Sequence, residues 1–288
     1  MLPILFHLPN WIPFLGGEPV TSFGLMMLLS FMTAGFLLRA ELDRGGFDSD
    51  RAWDFVFAAV IGGIGGAKIY YILLNWPRLM SDPAGLIFSR AGLVWYGGFI
   101  GAVLLILWQV KKFGLPLGKM ADAHAPPVCI AYAVGRVGCF LVGDDYGRPT
   151  DGWWGIAFPN GSPPTRVDVM ESYFGIEVDP ALVEQFGQVV PVHPTQLYEI
   201  GLSTLIFLLL WRLRDHGHGA GWLWMLWMTL AGLERFIVEF FRAKDDRFFG
   251  VLTLAQIISV GLIIVGIWGM RRLSQPSDEA ASAPHAGG

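Results

Sequence analysis

Charge is scarce in this chain. Only 15% of its 288 residues are Asp, Glu, Lys or Arg, where a soluble domain of this size carries about 25%. So few charges cannot clothe an ordinary water-facing surface. Basic clusters are missing too, and the net charge is −4, which argues against a nucleic-acid partner. Cysteine is limited to Cys129 and Cys139, within one apolar stretch. On a helix they lie ~15 Å apart along the axis, beyond disulfide reach, so they say nothing about compartment.

What is present is apolar: 53% hydrophobic residues and a mean hydropathy of +0.50. These residues gather in runs of roughly 20, enough to cross a ~30 Å hydrocarbon core. The 12 Trp and 37 Gly suit membrane interfaces and spanning helices. Candidate spans fall at 20–39, 53–75, 92–110, 120–142, 196–213, 220–241 and 250–270, predicting an all-α polytopic membrane protein with about seven transmembrane helices. The fourth is kept despite Asp122, His124, Pro126, Pro127 and Arg136, and the sixth despite Glu234, Arg235 and Glu239.

One set of loops, with Arg39, Arg44, Arg51, Lys111, Lys112, Lys119, Arg212, Arg214, Arg271 and Arg272, is richer in positive charge. The opposite set holds Arg78, Arg90, Arg148, Arg166, Arg242, Lys244 and Arg247. The positive-inside rule then puts the N-terminus outside and the C-terminus in the cytoplasm. The first 17 residues lack a basic start and are broken by Pro3, Pro9 and Pro13, so a short interfacial segment is expected rather than a cleaved signal. Residues 1–273 read as a single transmembrane domain, with 143–192 an extracytoplasmic loop region long enough to be functional. Residues 274–288, SQPSDEAASAPHAGG, have the composition of a disordered cytoplasmic tail.

Charges inside the apolar runs mark the candidate site. Arg136 lies in GRVGCFLVGDDYGRPT, residues 135–150, where a buried charge costs at least ~2.5–3.5 kcal/mol. Either it makes a structural salt bridge to Glu234 or Glu239, or it faces a lipid headgroup and forks onto phosphate oxygens. The flanking Gly135 and Gly138 leave room for a partner. Arg235 and Glu239, in LERFIVEFFR, are spaced i, i+4 on one helix face. Glu239 either holds Arg235 with part of its fork free or forms a merely local pair. In HPTQLYE, residues 193–199, a capped helix start explains Pro194, Thr195 and Glu199 but not His193, Gln196 and Tyr198 together.

Other features are weaker. Lys68 follows GGIGGA, which is not a phosphate-binding loop; those glycines suit close helix packing. Asp122 and His124 lie near the cytoplasmic end of the fourth span, where solvated or snorkelled groups are expected. His216 and His218 supply too few ligands for a metal, and no metal or organic cofactor is indicated.

GRVGCFLVGDDYGRPT, HPTQLYE and RFIVEFFR, with WYGGFIG at 95–101 as a weaker fourth, resemble the prolipoprotein diacylglyceryl transferase family. Their order and spacing cover roughly residues 18–272. The resemblance implies a multi-pass enzyme of the bacterial cytoplasmic (inner) membrane. It would move the diacylglyceryl group of phosphatidylglycerol to the lipobox cysteine thiol of a preprolipoprotein, with glycerol phosphate leaving. Phosphatidylglycerol, lipobox peptides and the bilayer are the partners so implied. Arg136 corresponds to the phosphate-binding arginine of the signature and Arg235 to the second essential arginine. Gly135, Gly138, Gly147, Tyr198 and Glu239 accompany them around the substrate, and Asp144, Tyr96 and His193 are the candidates for activating the thiol. The chain departs from the family pattern with Tyr96 for His, Cys139 for Asn, Asp144 for Glu, Ala231 for Tyr and Phe23 for Tyr. A phenol is a poor base at neutral pH, which leaves Asp144 or His193 to stand in for the missing imidazole, or a substrate thiol that needs little help. Two other classes remain: a paralogous transferase with another acceptor or lipid, and a non-catalytic phospholipid- or lipoprotein-binding protein.

Overall fold

The structure is a computed structural model that describes residues 2–11, 16–87, 89, 94–243, 247–248 and 252–274. The expected tail beyond Ser274 lies outside the described residues, as do Arg90 and Lys244 from the comparison of loop charges. In chain order the elements are β1 (Ile4–His7), β2 (Pro19–Thr21), α1 (Ser22–Arg44), α2 (Arg51–Leu74), α3 (Trp76–Ser81), α4 (Pro83–Ile87) and α5 (Trp95–Lys112). They continue with α6 (Leu117–Val142), α7 (Val167–Phe174), α8 (Pro180–Phe186), α9 (Thr195–Leu213), α10 (Trp222–Glu239), β3 (Arg247–Phe248), β4 (Leu252–Thr253) and α11 (Leu254–Leu273).

The long helices α1, α2, α5, α6, α9, α10 and α11 coincide with the seven expected spans. Five of them, α1, α2, α6, α9 and α11, are long and apolar enough to cross a membrane by length and composition. The two outside that set are α5, ending in Lys111 and Lys112, and α10, carrying Glu234, Arg235 and Glu239. With exposed apolar side chains such as Phe57, Ile61, Leu104, Leu205 and Ile264 on their outer faces, these helices make a multi-pass membrane protein. α6 runs unbroken through Pro126 and Pro127. Each proline removes one backbone donor, a loss spanning helices tolerate.

The chain divides into two compact units, residues 34–124 and residues 1–33 with 125–288. In the first, α2 and α5 approach backbone to backbone. A Cβ added at Gly62 or Gly66 would collide with Gly101 or Gly97, and none would touch anything at Gly63 or Gly65. The glycines of GGIGGAK and of WYGGFIG are therefore the two halves of one small-residue contact. His124 departs from expectation. It is buried, with Nδ1 2.7 Å from the Met120 carbonyl oxygen and its ring edge-on to Phe55, because α2 covers that turn of α6.

In the second unit β1 and β2 form an antiparallel hairpin, so the proline-broken N-terminal stretch starts as a strand. Close packing joins α10 to α11, where Gly232 and Gly266 admit Ser259 and Thr229. α11 opens with a capping box in which Thr253 Oγ1 accepts from the Gln256 amide and Gln256 Oε1 from the Thr253 amide. Residues 143–192 are more than a loop. They carry α7, α8 and an apolar core of their own built on Tyr146, Phe158, Met170, Val178, Leu182 and Val190.

Candidate active site

The three sequence motifs meet within the second unit, through backbone hydrogen bonds. The Gly147 amide donates to the His193 carbonyl at 2.8 Å, the His193 amide to Arg148 at 3.0 Å, and the Arg148 amide to Phe241 at 2.8 Å. Thr195 Oγ1 donates to the Asp145 carbonyl at 2.7 Å and Gln196 Nε2 to that of Asp144. The stretch after α6, the start of α9 and the end of α10 are thus one joint. Gly147 has to be glycine because a Cβ there would strike the Phe241 carbonyl and His193.

At this joint six charged side chains close into a ring of alternating sign. Arg136 Nη1 is 2.9 Å from Asp145 Oδ2, and Arg242 Nη2 is 2.7 Å from Asp145 Oδ1. Arg242 Nε is 3.8 Å from Glu239 Oε2, which lies 2.7 Å from Arg235 Nη2. Arg235 Nη1 is 3.5 Å from Glu199 Oε1, and Glu199 Oε2 pairs with Arg136 Nη2 to close the circuit. Tyr132 adds a phenol that donates to Glu199 Oε1 at 2.9 Å. Three guanidinium charges face three carboxylates, so the ring is neutral. Neutrality is what allows Arg136, Glu199 and Glu239, all buried, to sit among apolar helices without a prohibitive desolvation cost.

The acids differ in environment. Burial pushes the Asp145 carboxyl up, but the Arg242 and Arg136 guanidinia outweigh it and hold the group at about 2. Asp144 lies beside the Cys139 thiol, and burial raises it above its ordinary value. Its Oδ1 is buried and has no hydrogen-bond partner among the described residues. Cys139, Asp144 and Asp145 bring ligand-type atoms within 4.8 Å of one another. Both Asp145 oxygens already accept from arginines, so a cation there would have to displace Arg136 and Arg242.

Beside the ring, between α9 and α10, lies an apolar groove of about 530 Å³ lined by Trp154, His193, Leu197, Tyr198, Ile237 and Phe241, among others. His193 Nδ1 is 3.0 Å from the Tyr198 hydroxyl and 3.4 Å from the Trp154 indole nitrogen that donates to it. Burial lowers the imidazole below its ordinary value of 6.5, which keeps it neutral at neutral pH.

The family model for prolipoprotein diacylglyceryl transferase matches residues 9–272. A phosphatidylglycerol–prolipoprotein diacylglyceryl transferase of Vibrio atlanticus (strain LGP32) is 32% identical over 274 residues, spanning 90% of this chain and 89% of that protein. The protein of the same name from Clostridium tetani (strain Massachusetts / E88) is 31% identical over 271 residues, spanning 93% and 96%. This chain belongs to the prolipoprotein diacylglyceryl transferase family.

Of the residues expected at this transferase site, Arg136, Arg235 and Glu239 lie in the ring and Asp144 adjoins Asp145 next to it. His193 and Tyr198 line the groove. The partner of Arg136 is neither Glu234 nor Glu239 but Glu199, with Asp145; Glu234 instead accepts from the Ser203 hydroxyl at 2.7 Å. Gly138 serves the fold, because a Cβ there would press on Met26 and Phe23 of α1, while Gly135 stands in looser surroundings. Tyr96 belongs to the other compact unit, in the first turn of α5 and edge-on to Trp95.

Sequence reasoning passed over four residues of the site: Glu199, Asp145, Arg242 and Tyr132. Two had a usable signal. Arg242 follows Glu239 by three residues and so shares its helix face. Glu199 is a carboxylate one turn into an apolar span, where an acid needs a cation. Asp145 and Tyr132 had none, because their roles depend on where α9 and α10 arrive.

Proposed function

We propose that this chain transfers the diacylglyceryl group of phosphatidylglycerol to the lipobox cysteine of a preprolipoprotein in the cytoplasmic membrane of a bacterium. One observation carries the reading: Arg136, Arg235 and Arg242 converge at the joint of the family's three motifs, as a phosphodiester requires. In the reaction the peptide thiolate attacks the glyceryl carbon, a C–S bond forms, and the C–O bond to phosphorus breaks. The electron pair leaves on glycerol phosphate. Charge therefore accumulates on phosphate oxygens in the transition state, where preoriented guanidinium donors stabilise it. Glu199 and Glu239 aim those donors, and their burial keeps the aim fixed.

The thiol proton needs an acceptor. Asp144 is our choice, because burial raises its carboxyl, which makes it a stronger base, and its Oδ1 has no partner among the described residues. His193, neutral and held by Tyr198 and Trp154, orders the rim of the groove. The groove between α9 and α10 takes an acyl chain, since its lining is almost wholly apolar. Residues 1–273 act as one transmembrane transferase domain, oriented with the C-terminal tail in the cytoplasm as the loop charges favour.

The test combines purified protein, phosphatidylglycerol and a synthetic lipobox peptide, read by mass spectrometry. The expected product is the peptide carrying one diacylglyceryl mass, with glycerol phosphate released in equal amount. Lipid consumed without peptide modification would point to another acceptor. Lipid bound without release of glycerol phosphate would make the chain a binding protein.

A further inference from the structure

We propose that Asp145 is a built-in stand-in for the substrate phosphate: its carboxylate occupies the Arg136–Arg242 seat at rest, yields it to the phosphodiester, and returns to expel glycerol phosphate. This rests on the phosphate-clamp reading above, and extends it to a residue and a step that reading leaves unassigned.

The geometry of the bridge is the first support. Arg136 Nη1 reaches one oxygen of Asp145 and Arg242 Nη2 the other, at 2.9 and 2.7 Å. Two guanidinia converging on the two oxygens of one anion is the pattern that a phosphodiester's non-bridging oxygens would satisfy. Asp145 therefore fills a place for which the arginines are already oriented.

The second support is that Asp145 is the one acid of the ring able to leave. Its side chain is 45% exposed, against 1% for Glu199 and 2% for Glu239. Released from the arginines it enters water, whereas either glutamate would be stranded among apolar helices. Its backbone also holds the left-handed region, at φ 56, rare for a residue other than glycine. The tight turn after Gly143 and the Thr195 hydroxyl on its carbonyl fix the backbone, so that only the side chain has to move.

Charge balance is the third support. With Asp145 in place the ring is neutral. With Asp145 swung out it carries one excess positive charge, matching the single negative charge of a phosphatidylglycerol phosphodiester. The exchange thus costs the site no net charge. The product is different: glycerol phosphate is a monoester that approaches two negative charges at neutral pH, and guanidinia would hold it more tightly than the substrate. A tethered carboxylate at high effective concentration competes with it and speeds its departure. Asp145 is in these terms a positioning residue for Arg136 and Arg242 and a competitor for their seat.

The test compares the wild type with Asp145→Asn, which keeps the left-handed backbone available and leaves each arginine a glutamate partner. Glycerol phosphate binding is measured directly on the detergent-purified proteins by titration calorimetry. Its inhibition of lipidation and the KM for phosphatidylglycerol are measured in the mass-spectrometric assay. D145N is expected to bind glycerol phosphate about tenfold tighter or more, the factor one charge-assisted contact carries. KM for the lipid should fall with it, and kcat should fall too as product release slows. Weaker or unchanged binding of glycerol phosphate by D145N overturns the proposal, and a purely structural Asp145 predicts that result. Should D145N fail to fold, D145G takes φ 56 without strain and answers the same question. If neither wild type nor variant modifies the peptide, the transferase reading fails, while the calorimetric comparison still decides the role of Asp145.

Discussion

Arg136 and Glu199 pair through Nη2 and Oε2, from the last two turns of α6 to the second turn of α9. Glu199 also accepts from Tyr132 at 2.9 Å and faces Arg235 at 3.5 Å. Replacing it by Gln leaves Arg136 with Asp145 alone. Glu199→Gln is expected to lower the thermal midpoint in detergent by several degrees and to cut kcat/KM at least ~100-fold, because the ring loses the buried carboxylate shared by Arg136 and Arg235 and keeps an uncompensated positive charge. A midpoint within one degree of wild type, read by differential scanning fluorimetry, would contradict the ring.

The clamp arginines require their fork, beyond their charge. Arg136→Lys and Arg235→Lys each keep a cation but lose bidentate geometry. Both should lose about 10²-fold or more in lipidation rate, the scale of one transition-state donor, and the corresponding Ala variants should be inactive. Wild-type rates in either Lys variant, measured on the lipobox peptide, would show that the guanidinium plane is not used.

Two acids are shifted in opposite directions from their ordinary value. Asp145 ordinarily ionises near 3.8 and is held at about 2. Its contribution to stability is therefore fully present above pH 3.8 and is lost as pH falls toward 2. Asp144 is raised above 3.8, chiefly by burial, and must be ionised to accept a proton. The rate should fall as pH drops through that raised value, and Asp144→Asn should lose the rate while keeping the fold. A pH–rate profile whose acid limb is unchanged in D144N would remove Asp144 as the base.

Adjacent glycines in α2 should behave differently. A methyl at Gly66 meets the backbone of Gly97 and Gly101, while at Gly65 it meets nothing within 4 Å. Gly66→Ala is expected to reduce the yield of folded protein. Gly65→Ala should be neutral or raise stability by about 1 kcal/mol, since it improves helix propensity without a clash. Thermal midpoints of the two purified variants settle the contrast.

Much of the fold was legible because a bilayer leaves few options: a run of some 20 apolar residues has to be a helix. Helices stand at all seven expected runs, and five of them are long and apolar enough to cross a membrane, including α6, whose prolines and Arg136 obscured it. Arg136, Arg235 and Glu239 were legible for the opposite reason, since charges in such runs have to be explained. The ring itself was not. Its closure depends on Asp145, which no periodicity distinguishes from Asp144, and on the contact between α6 and α9, elements far apart in the chain. His124 was misjudged because its burial comes from Phe55, which sequence order does not place next to it.

The ring also bears on how this protein is made. α10 brings Arg235 together with Glu239 on its own face, so that helix arrives with its main charge already compensated. Arg136 has no such companion on α6; its buried counter-ion emerges later, on α9. Until α9 follows, Asp145, three residues beyond the end of α6, is the one carboxylate of the ring that has been made to pair with Arg136. A lesion at Glu199 would then act as a defect of biogenesis, visible as degraded nascent chain, before it could act as a defect of catalysis.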